Sequence, residues 1–500
     1  MSLLGIDVGT TGCKAAAFAA DGRCLASAYR EHEVLHPHPG WAELDSRLVL
    51  EHVWEVIAAV AAHTCGDPVT ALCISSMGEA MTPVSQEREV LGGCILSSDP
   101  RGSEHARRLA EEFGQEALYE INPNIIGPNY SLPKLLWIRE HQPQLFARAW
   151  KFLLWGDLVA FLLGAEPVTS FSLANRTLLF NLRHERWSDR LLRFADLAPH
   201  LLPTPVPSGT IAGTVAPHMA ARLGLPPNVP VVVGGHDQCC NALGAGVWQP
   251  GSAVCGIGTF QCITACFKRV PPSGPMLRAG LNIEHHVLPG LFVSFLYNQA
   301  GSLVRWFRDT FAAADRLQVP PNHDLYDRLA AEMPAEPSRL LVLPYFEITG
   351  PPHFVADAAG AIVGLRTSTT RGEILKAIME SVAMYFVESL EALSHLQIHT
   401  DELVATGGGA RSDAWLQIQA DVFGIPMVRC AVTEGSTLGA AMLAGIATGV
   451  FDGAADAVAR CVRRERVFTP DPHRHRAYRQ RLGDFRQLLP ALHPLLRRLG

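Results

Sequence analysis

The stretch "IDVGTTGCKAAAF", Ile6 to Phe18, decides the fold. Two apolar runs flank a Gly-Thr turn, and glycine takes positive φ at no steric cost, so the segment reads as strand, tight turn, strand. The chain continues through "AADGRCLASAYREHEVL", where Asp21 and Gly22 supply a second hairpin turn. An antiparallel meander is therefore expected at the amino terminus, not a Walker A loop. The same frame returns at "GIGTFQCITACF", Gly256 to Phe267: apolar, Gly, Thr, then Cys and Phe at matched offsets. A unit repeated half a chain apart predicts two similar domains. If their turns face one another, backbone N–H groups line the cleft between them, and such nests bind phosphates. The halves are not chemically equivalent, because Asp7 has Gly256 as its counterpart.

Two further segments carry polar groups at strand ends. "VVVGGHDQCCNALGAG", Val231 to Gly246, places Asp237 after a β-branched run of the kind that forms buried strands, and a carboxylate there needs a partner or a job. "LVATGGGARSDAWLQIQADVFGIPMV", from Leu403, runs from a strand through Gly407, Gly408 and Gly409 into an amphipathic helix, with Ser412 and Asp413 as candidate N-caps. Free amides at a helix start after a glycine loop suit a nucleotide, and triple glycine is equally a packing device.

Composition bounds the rest. A chain of 500 residues with 48% hydrophobic content buries large cores, and its formal charge of -6 gives no global attraction to nucleic acid or anionic membrane. The locally basic "CVRRERV" from Cys461 is read as a solvated helix face. No apolar run reaches the roughly 18 residues of a membrane span, and "MSLLGIDVGTTG" has no basic n-region of a secretory signal. The 12 cysteines form no CxxC, which argues for free thiols in a reducing compartment, and a cytoplasmic location is expected.

With these segments in place the chain resembles the FGGY carbohydrate kinases nearly end to end. The resemblance rests on "GIDVGTTGCKAAAF", "ILSSDPR" (Ile95 to Arg101), "SLPKLLWIREH" (Ser131 to His141), "VVVGGHDQ", "GIGTF", "GAIVGLRTSTTRGEILKAIMESVAMYF" (Gly360 to Phe386), "TGGGARSDAWLQIQADVFGIPM" and "EGSTLGAAMLA". It implies an α/β fold of two actin-like (ribonuclease H-like) ATPase domains, mixed sheets flanked by helices, with the active site in the interdomain cleft. The division is expected near Val247, giving a sugar-binding domain over 1–247 and a nucleotide-binding domain over 248–500. The implied activity is ATP-dependent phosphorylation of a small ketose or polyol. Xylulose is the nearest candidate, with fuculose, a tetritol or gluconate behind it. A non-enzymatic actin-like or chaperone-like nucleotide-binding protein is the alternative class.

The resemblance also implies residue roles. Asp237 falls on the catalytic base, which a loose phosphoryl-transfer transition state lets orient the hydroxyl rather than fully deprotonate it; capping of a helix near Cys239 is its bland alternative. Asp7 falls near Mg²⁺, a hard cation that takes oxygen ligands. Thr10, Thr11 and Lys14, with Gly258 and Thr259, surround the β and γ phosphates of ATP; Gly408, Gly409, Ala410 and Ser412 hold the adenosine side by backbone approach. Met77, Glu79, Asp99, Arg101, His236 and Asp237 are the expected sugar contacts. Glu79 stands where the pentulose kinases' G-Q-M-H-G carries histidine, and it either enters the pocket or points outward from the turn after Gly78. Ser97 replaces a common tryptophan, and "FEITGPPH" lacks the usual G-E-R-T-P. Asp99 and Arg101 either contact sugar or pair with one another. Trp137 and Trp415 are expected to pack. The expected partner is a small neutral sugar or polyol, without nucleic acid or membrane, and a homodimer is among the assemblies open to the chain.

Overall fold

A computed structural model describes residues 1–316, 324–347, 349–355, 358–432 and 434–498. Its first sheet has six strands in the order Ile211–Thr214, Pro230–His236, Val69–Ser76, Ser2–Val8, Gly12–Phe18, Cys24–Glu31. The meander is present: Ser2–Val8 pairs antiparallel with Gly12–Phe18, which pairs antiparallel with Cys24–Glu31. Ser2–Val8 then runs parallel to Val69–Ser76, and Val69–Ser76 parallel to Pro230–His236.

A seven-stranded sheet repeats this plan. Gly251–Ile257, Phe260–Phe267 and Phe292–Gln299 form its meander, while Thr400–Thr406 and Met427–Cys430 continue in parallel on the other side of Gly251–Ile257. The helix Ser46–His63 makes the first crossover and Arg371–His395 the second, the latter opened by a capping box between Thr370 and Glu373. Both crossovers are long enough to return a strand in parallel. The shared Gly-Thr frame is therefore one topology used twice, and the fold is α/β with mixed sheets flanked by helices in two domains.

What differs is the link between the last two parallel strands. In the second sheet it is short, the turn of helix Gly408–Arg411 and the helix Asp413–Phe423. In the first, residues 77–229 intervene and enclose a core of their own around Tyr130, Leu135, Phe152 and Leu173. That insertion supplies the walls of the site.

The halves are joined by two helices packed almost backbone to backbone, Asp237–Gly244 and Gly435–Ala447. A Cβ added at Gly439 would lie 1.9 Å from the carbonyl oxygen of Cys240, and one at Gly244 would lie 2.0 Å from that of Gly435. Gly435–Ala447 also covers the first sheet, where a Cβ on Gly5 would meet the carbonyl oxygen of Thr437 at 1.8 Å. Thus a helix late in the chain closes over the first sheet. The last helix, Pro472–Leu496, instead packs on the second half, where the Tyr478 hydroxyl donates to Glu380 at 2.8 Å. The basic stretch after Cys461 is not a helix face but the edge strand Arg464–Phe468. Its exposed arginines meet carboxylates, Arg464 with Glu402 and Arg466 with Asp413, and charge is a common guard on an open edge. Among the described residues no helix is long and apolar enough to cross a membrane.

Candidate active site

The three glycine turns converge. A cleft of about 220 Å³ is bordered by Asp7 and Lys14 from the first hairpin, Gly256 to Gly258 and Phe260 from the second, Thr406 and Gly407 from the third, and Glu434 to Thr437. The last group is the amino terminus of Gly435–Ala447, whose free amides and dipole favour an anion. Gln238 and Asn241, from the first turns of Asp237–Gly244, complete the border.

Within this frame the two Gly-Thr turns are exposed, including Thr10, Thr11, Gly258 and Thr259. Each is closed by the N–H of its first glycine, Gly9 donating to the Gly12 carbonyl at 2.9 Å and Gly258 to the Phe260 carbonyl at 2.9 Å, the second turn being one residue tighter. Lys14 is not a free lysine; its ammonium pairs with Glu434 at 2.9 Å. Gly407 has φ of 79° and leads into the short turn of helix Gly408–Arg411. There the expected adenosine contacts divide. Gly408 is open, with nothing within 4 Å of an added Cβ, whereas Ala410 has no exposed surface and packs below the turn. The Ser412 hydroxyl accepts from Trp415 N–H at 3.3 Å as the N-cap of Asp413–Phe423. The side chains of Ala410 and Ser412 thus serve the fold, which leaves only their backbone to face a ligand, and Trp415 is buried packing as expected.

Asp7, on Ser2–Val8, accepts from the Ser75 hydroxyl at 2.7 Å. Burial raises its carboxyl to about 7, the neighbouring Asp237 charge adds to this, and the Ser75 hydrogen bond opposes it. Asp237 opens the helix Asp237–Gly244 directly after Pro230–His236, so it stands in the first helical turn instead of capping a later helix; His236 takes the cap position. Its own carboxyl is raised by burial, with the His236 imidazole pulling it back and Glu79 pushing it up. Asp237 Oδ1 is buried, yet no hydrogen bond within the protein satisfies it. His236 Nε2 lies 3.3 Å away without the alignment of a hydrogen bond.

A chain of alternating charge runs inward from there. His236 Nδ1 meets Glu284 Oε1 at 2.6 Å, and Glu284 Oε2 lies 3.4 Å from Arg176 Nη1. Arg176 Nε donates to Glu79 Oε1 at 2.8 Å, and its Nη2 reaches the same oxygen. The outward alternative for Glu79 is thereby removed: the residue is 9% exposed and held at φ of 52°, a left-handed conformation uncommon for a side chain of its size. Gly78 makes room for the pair, since a Cβ there would come within 2.8 Å of Arg176. Met77 is buried alongside and accepts a weak contact from the Thr10 hydroxyl at 3.9 Å. His236, Cys239 and Glu284 bring three ligand-type atoms within 4.8 Å of one another. Arg176 already supplies the cation on that carboxylate.

Asp99 and Arg101 need correction. Arg101 donates to Asp99 from Nε at 3.0 Å and from Nη2 at 2.6 Å, stacks over Trp41 at 3.8 Å and Trp137 at 4.9 Å, and also meets Glu43. Asp99 further accepts from Ala42 N–H at 2.6 Å, and its side chain has no exposed surface. Lys134 donates to the backbone carbonyls of both residues, its ammonium lowered to about 8 by burial. Asp99 has its carboxylate engaged inside the protein, and Arg101 spends Nε and Nη2 on it while Nη1 faces Glu43 as an ion pair without an aligned hydrogen bond, so the pair is built as a structural contact. Trp137 belongs to it as packing. In "FEITGPPH", Ile348 lies outside the described residues.

The residues missed from sequence are Arg176, Glu284, Asn241 and the turn Glu434 to Thr437. "EGSTLGAAMLA" was visible as a small-residue helix start, which is the one signal pointing to the last of these.

Residues 2–244 match the family model "FGGY family of carbohydrate kinases, N-terminal domain", and residues 253–448 match the corresponding C-terminal domain. A xylulose kinase of Bacillus subtilis is 28% identical over 482 residues, 95% of this chain and 94% of that protein. An autoinducer-2 kinase of Escherichia coli is 29% identical over 502 residues, 95% of this chain and 92% of the relative. The crystal structure of xylulose kinase from Rhodospirillum rubrum superposes with a TM-score of 0.87 at 29% identity, covering 99% of this chain and 100% of that one. A duplicated sheet, a cleft ringed by glycine turns and an unsatisfied carboxylate beside it coincide with both family matches, and the chain belongs to the FGGY family of carbohydrate kinases.

Proposed function

We propose that the protein transfers the γ-phosphoryl group of ATP to a hydroxyl of a small neutral ketose or polyol, xylulose being the first candidate, with Asp237 as the base. Family membership makes it a carbohydrate kinase and removes the actin-like or chaperone-like alternative. The observation that carries the reading is Asp237 Oδ1, a buried acceptor without a partner. A buried unsatisfied acceptor costs about 1–3 kcal/mol. A substrate hydroxyl donating to it recovers that cost while aligning its oxygen for in-line attack.

The functional division is placed at Val247, with sugar held mainly by the first domain. The site fits a divalent cation: Asp7 is a carboxylate at the phosphate cleft, raised by burial and by the Asp237 charge, and a hard cation with oxygen ligands relieves both effects. Asp7 would hold Mg²⁺, directly or through its waters, and the metal would neutralise charge on the transferring phosphoryl group. The chain's own part is positional. The turns at 9–11 and 258–259 and the amides of Gly435–Ala447 orient the phosphates, Asp237 holds the acceptor hydroxyl, and narrowing of the cleft excludes water that would otherwise hydrolyse ATP.

The test is an ADP-release screen over pentuloses, hexuloses, polyols, aldonic acids and autoinducer-2, run on the native chain and on Asp237→Asn. The amide keeps the volume but cannot take the proton, so kcat is expected to fall at least a hundredfold, about 2.7 kcal/mol, with ATP binding retained. Retention of more than about a tenth of kcat, a loss under roughly 1.4 kcal/mol, removes Asp237 as the base.

A further inference from the structure

We propose that Glu284, reaching across from the second domain, is a positioning residue that holds His236 as an imidazolium against the Asp237 carboxylate, so that the base stays ionised when the triphosphate enters. This rests on the assignment of Asp237 as base. Glu284 lies on Glu284–His285, an edge strand of the second sheet, and is fully buried. The first half grips that strand along its length: Ile283 N–H donates to Pro123 at 2.9 Å, Asn175 Nδ2 to the Ile283 carbonyl at 3.0 Å, and the His285 ring meets the Leu182 carbonyl at 3.0 Å. The carboxylate that faces His236 is therefore fixed in place.

The groups around the imidazole are all in view. Glu284 Oε1 is at 2.6 Å from Nδ1 and Asp237 Oδ1 at 3.3 Å from Nε2, while the Phe295 ring meets the imidazole edge to face at 6.0 Å. Cys239 Sγ donates to the same Glu284 oxygen at 3.1 Å, and Arg176 approaches the other oxygen at 3.4 Å from Nη1. Glu79 stands behind Arg176. Both ring nitrogens thus face carboxylates. A neutral imidazole would have to turn a lone pair toward one of them, whereas the cation hydrogen-bonds Glu284 and sets its other N–H charge 3.3 Å from Asp237 without occupying that oxygen by an aligned hydrogen bond. Burial favours the neutral ring, but Glu284 and then Asp237 outweigh it and raise His236 above its ordinary value. Arg176 opposes them. The imidazolium in turn pulls Asp237 down, opposing in part the burial and the Glu79 charge that leave it raised.

The test begins with the unmodified kinase, labelled at histidine Cε1 and titrated by NMR, His236 being assigned by its loss in His236→Asn. His236 is expected to titrate above the ordinary value of about 6.5, and a midpoint at or below it overturns the proposal. Glu284→Gln should lower that midpoint by about one pH unit or more, the size of losing a contacting opposite charge. With Mg²⁺ saturating, the same variant should move the acidic limb of kcat/KM upward by about half a unit or more, with the sugar KM least affected where Asp237 is ionised. In the His236→Asn background, Glu284→Gln should leave the limb where that background puts it; equal shifts with and without His236 would show that Glu284 acts by another route. If Asp237→Asn stays active, the base assignment fails. If it is inactive and the limb ignores Glu284, this inference alone fails.

Discussion

Gly439→Ala tests how the fold holds the base in place. The added Cβ would sit 1.9 Å from the Cys240 carbonyl oxygen and 2.9 Å from the Gly244 nitrogen, both backbone atoms that no rotamer change can move. Real Cβ contacts do not fall below 3.0 Å, so the helices Asp237–Gly244 and Gly435–Ala447 must part by about 1 Å. Overpacking of this kind costs about 1–3 kcal/mol and more where backbone must shift. Taking about 3 kcal/mol, and about 2–4 °C per kcal/mol for a domain of this size, Tm should fall by roughly 6–12 °C. The same displacement carries Asp237 at one helix start and the anion-facing amides of Gly435 to Thr437 at the other. A misplacement of about 1 Å at reacting groups costs about a hundredfold in rate. Scanning calorimetry and steady-state kinetics below the new Tm read the two effects separately. The matched control is Gly483→Ala inside Pro472–Leu496, where an added Cβ meets nothing within 4 Å. Helix propensity alone should there stabilise by roughly 0.5–1 kcal/mol. If Gly439→Ala behaves like Gly483→Ala, the helix contact does not set the site.

Asp7→Asn should flatten a pH dependence of stability. The native carboxyl binds its proton up to about 7 while the unfolded one releases it near 3.8, so without Mg²⁺ the native state binds more protons in that window and stability falls as pH rises through it; chemical denaturation at pH 5 and 8 should show the fall in the native chain and its loss in the variant. Arg101→Ala takes the guanidinium from buried Asp99, leaving Lys134 at 4.0 Å as its remaining cation, and should cost about 3 kcal/mol while leaving sugar KM in place; a raised KM with unchanged Tm would return Arg101 to the sugar. Glu79→Gln frees one side of Arg176 and should improve kcat/KM for aldonic acids relative to neutral sugars, and an unchanged ranking in the substrate screen would separate Glu79 from specificity.

The duplicated plan was legible because its signal is local. Hairpin turns and β-branched runs lie within a few residues of one another at Ile6 to Phe18 and again at Gly256 to Phe267, and both became meanders in the same order. The basic run after Cys461 misled because charge reports exposure, and an edge strand is as exposed as a helix face. Ser412 was legible twice, as N-cap and as ligand contact, and the cap is the role its side chain takes.

Within the site, what was legible depended on how far apart the partners lie in the chain. Asp99 and Arg101 are two residues apart, and their pairing was in view from the start. Glu79 and Arg176 are 97 residues apart and Arg176 and Glu284 are 108 apart, so no periodicity or spacing rule joins them. Yet each charge carried its own sign. "SLANRTLLF" sets Arg176 among small polar and apolar residues, and "GLNIEHHVL" sets Glu284 between Ile283 and a pair of histidines. Asp237 had drawn notice because a carboxylate at the end of an apolar strand must be satisfied. The same requirement applies to Arg176 and Glu284; in the folded chain those two meet, and His236 stands between Glu284 and Asp237. That requirement was read for Asp237 alone; a buried charge calls for an answering group elsewhere in the chain, and only the insertion at 77–229, closing over the end of the first sheet, determines which.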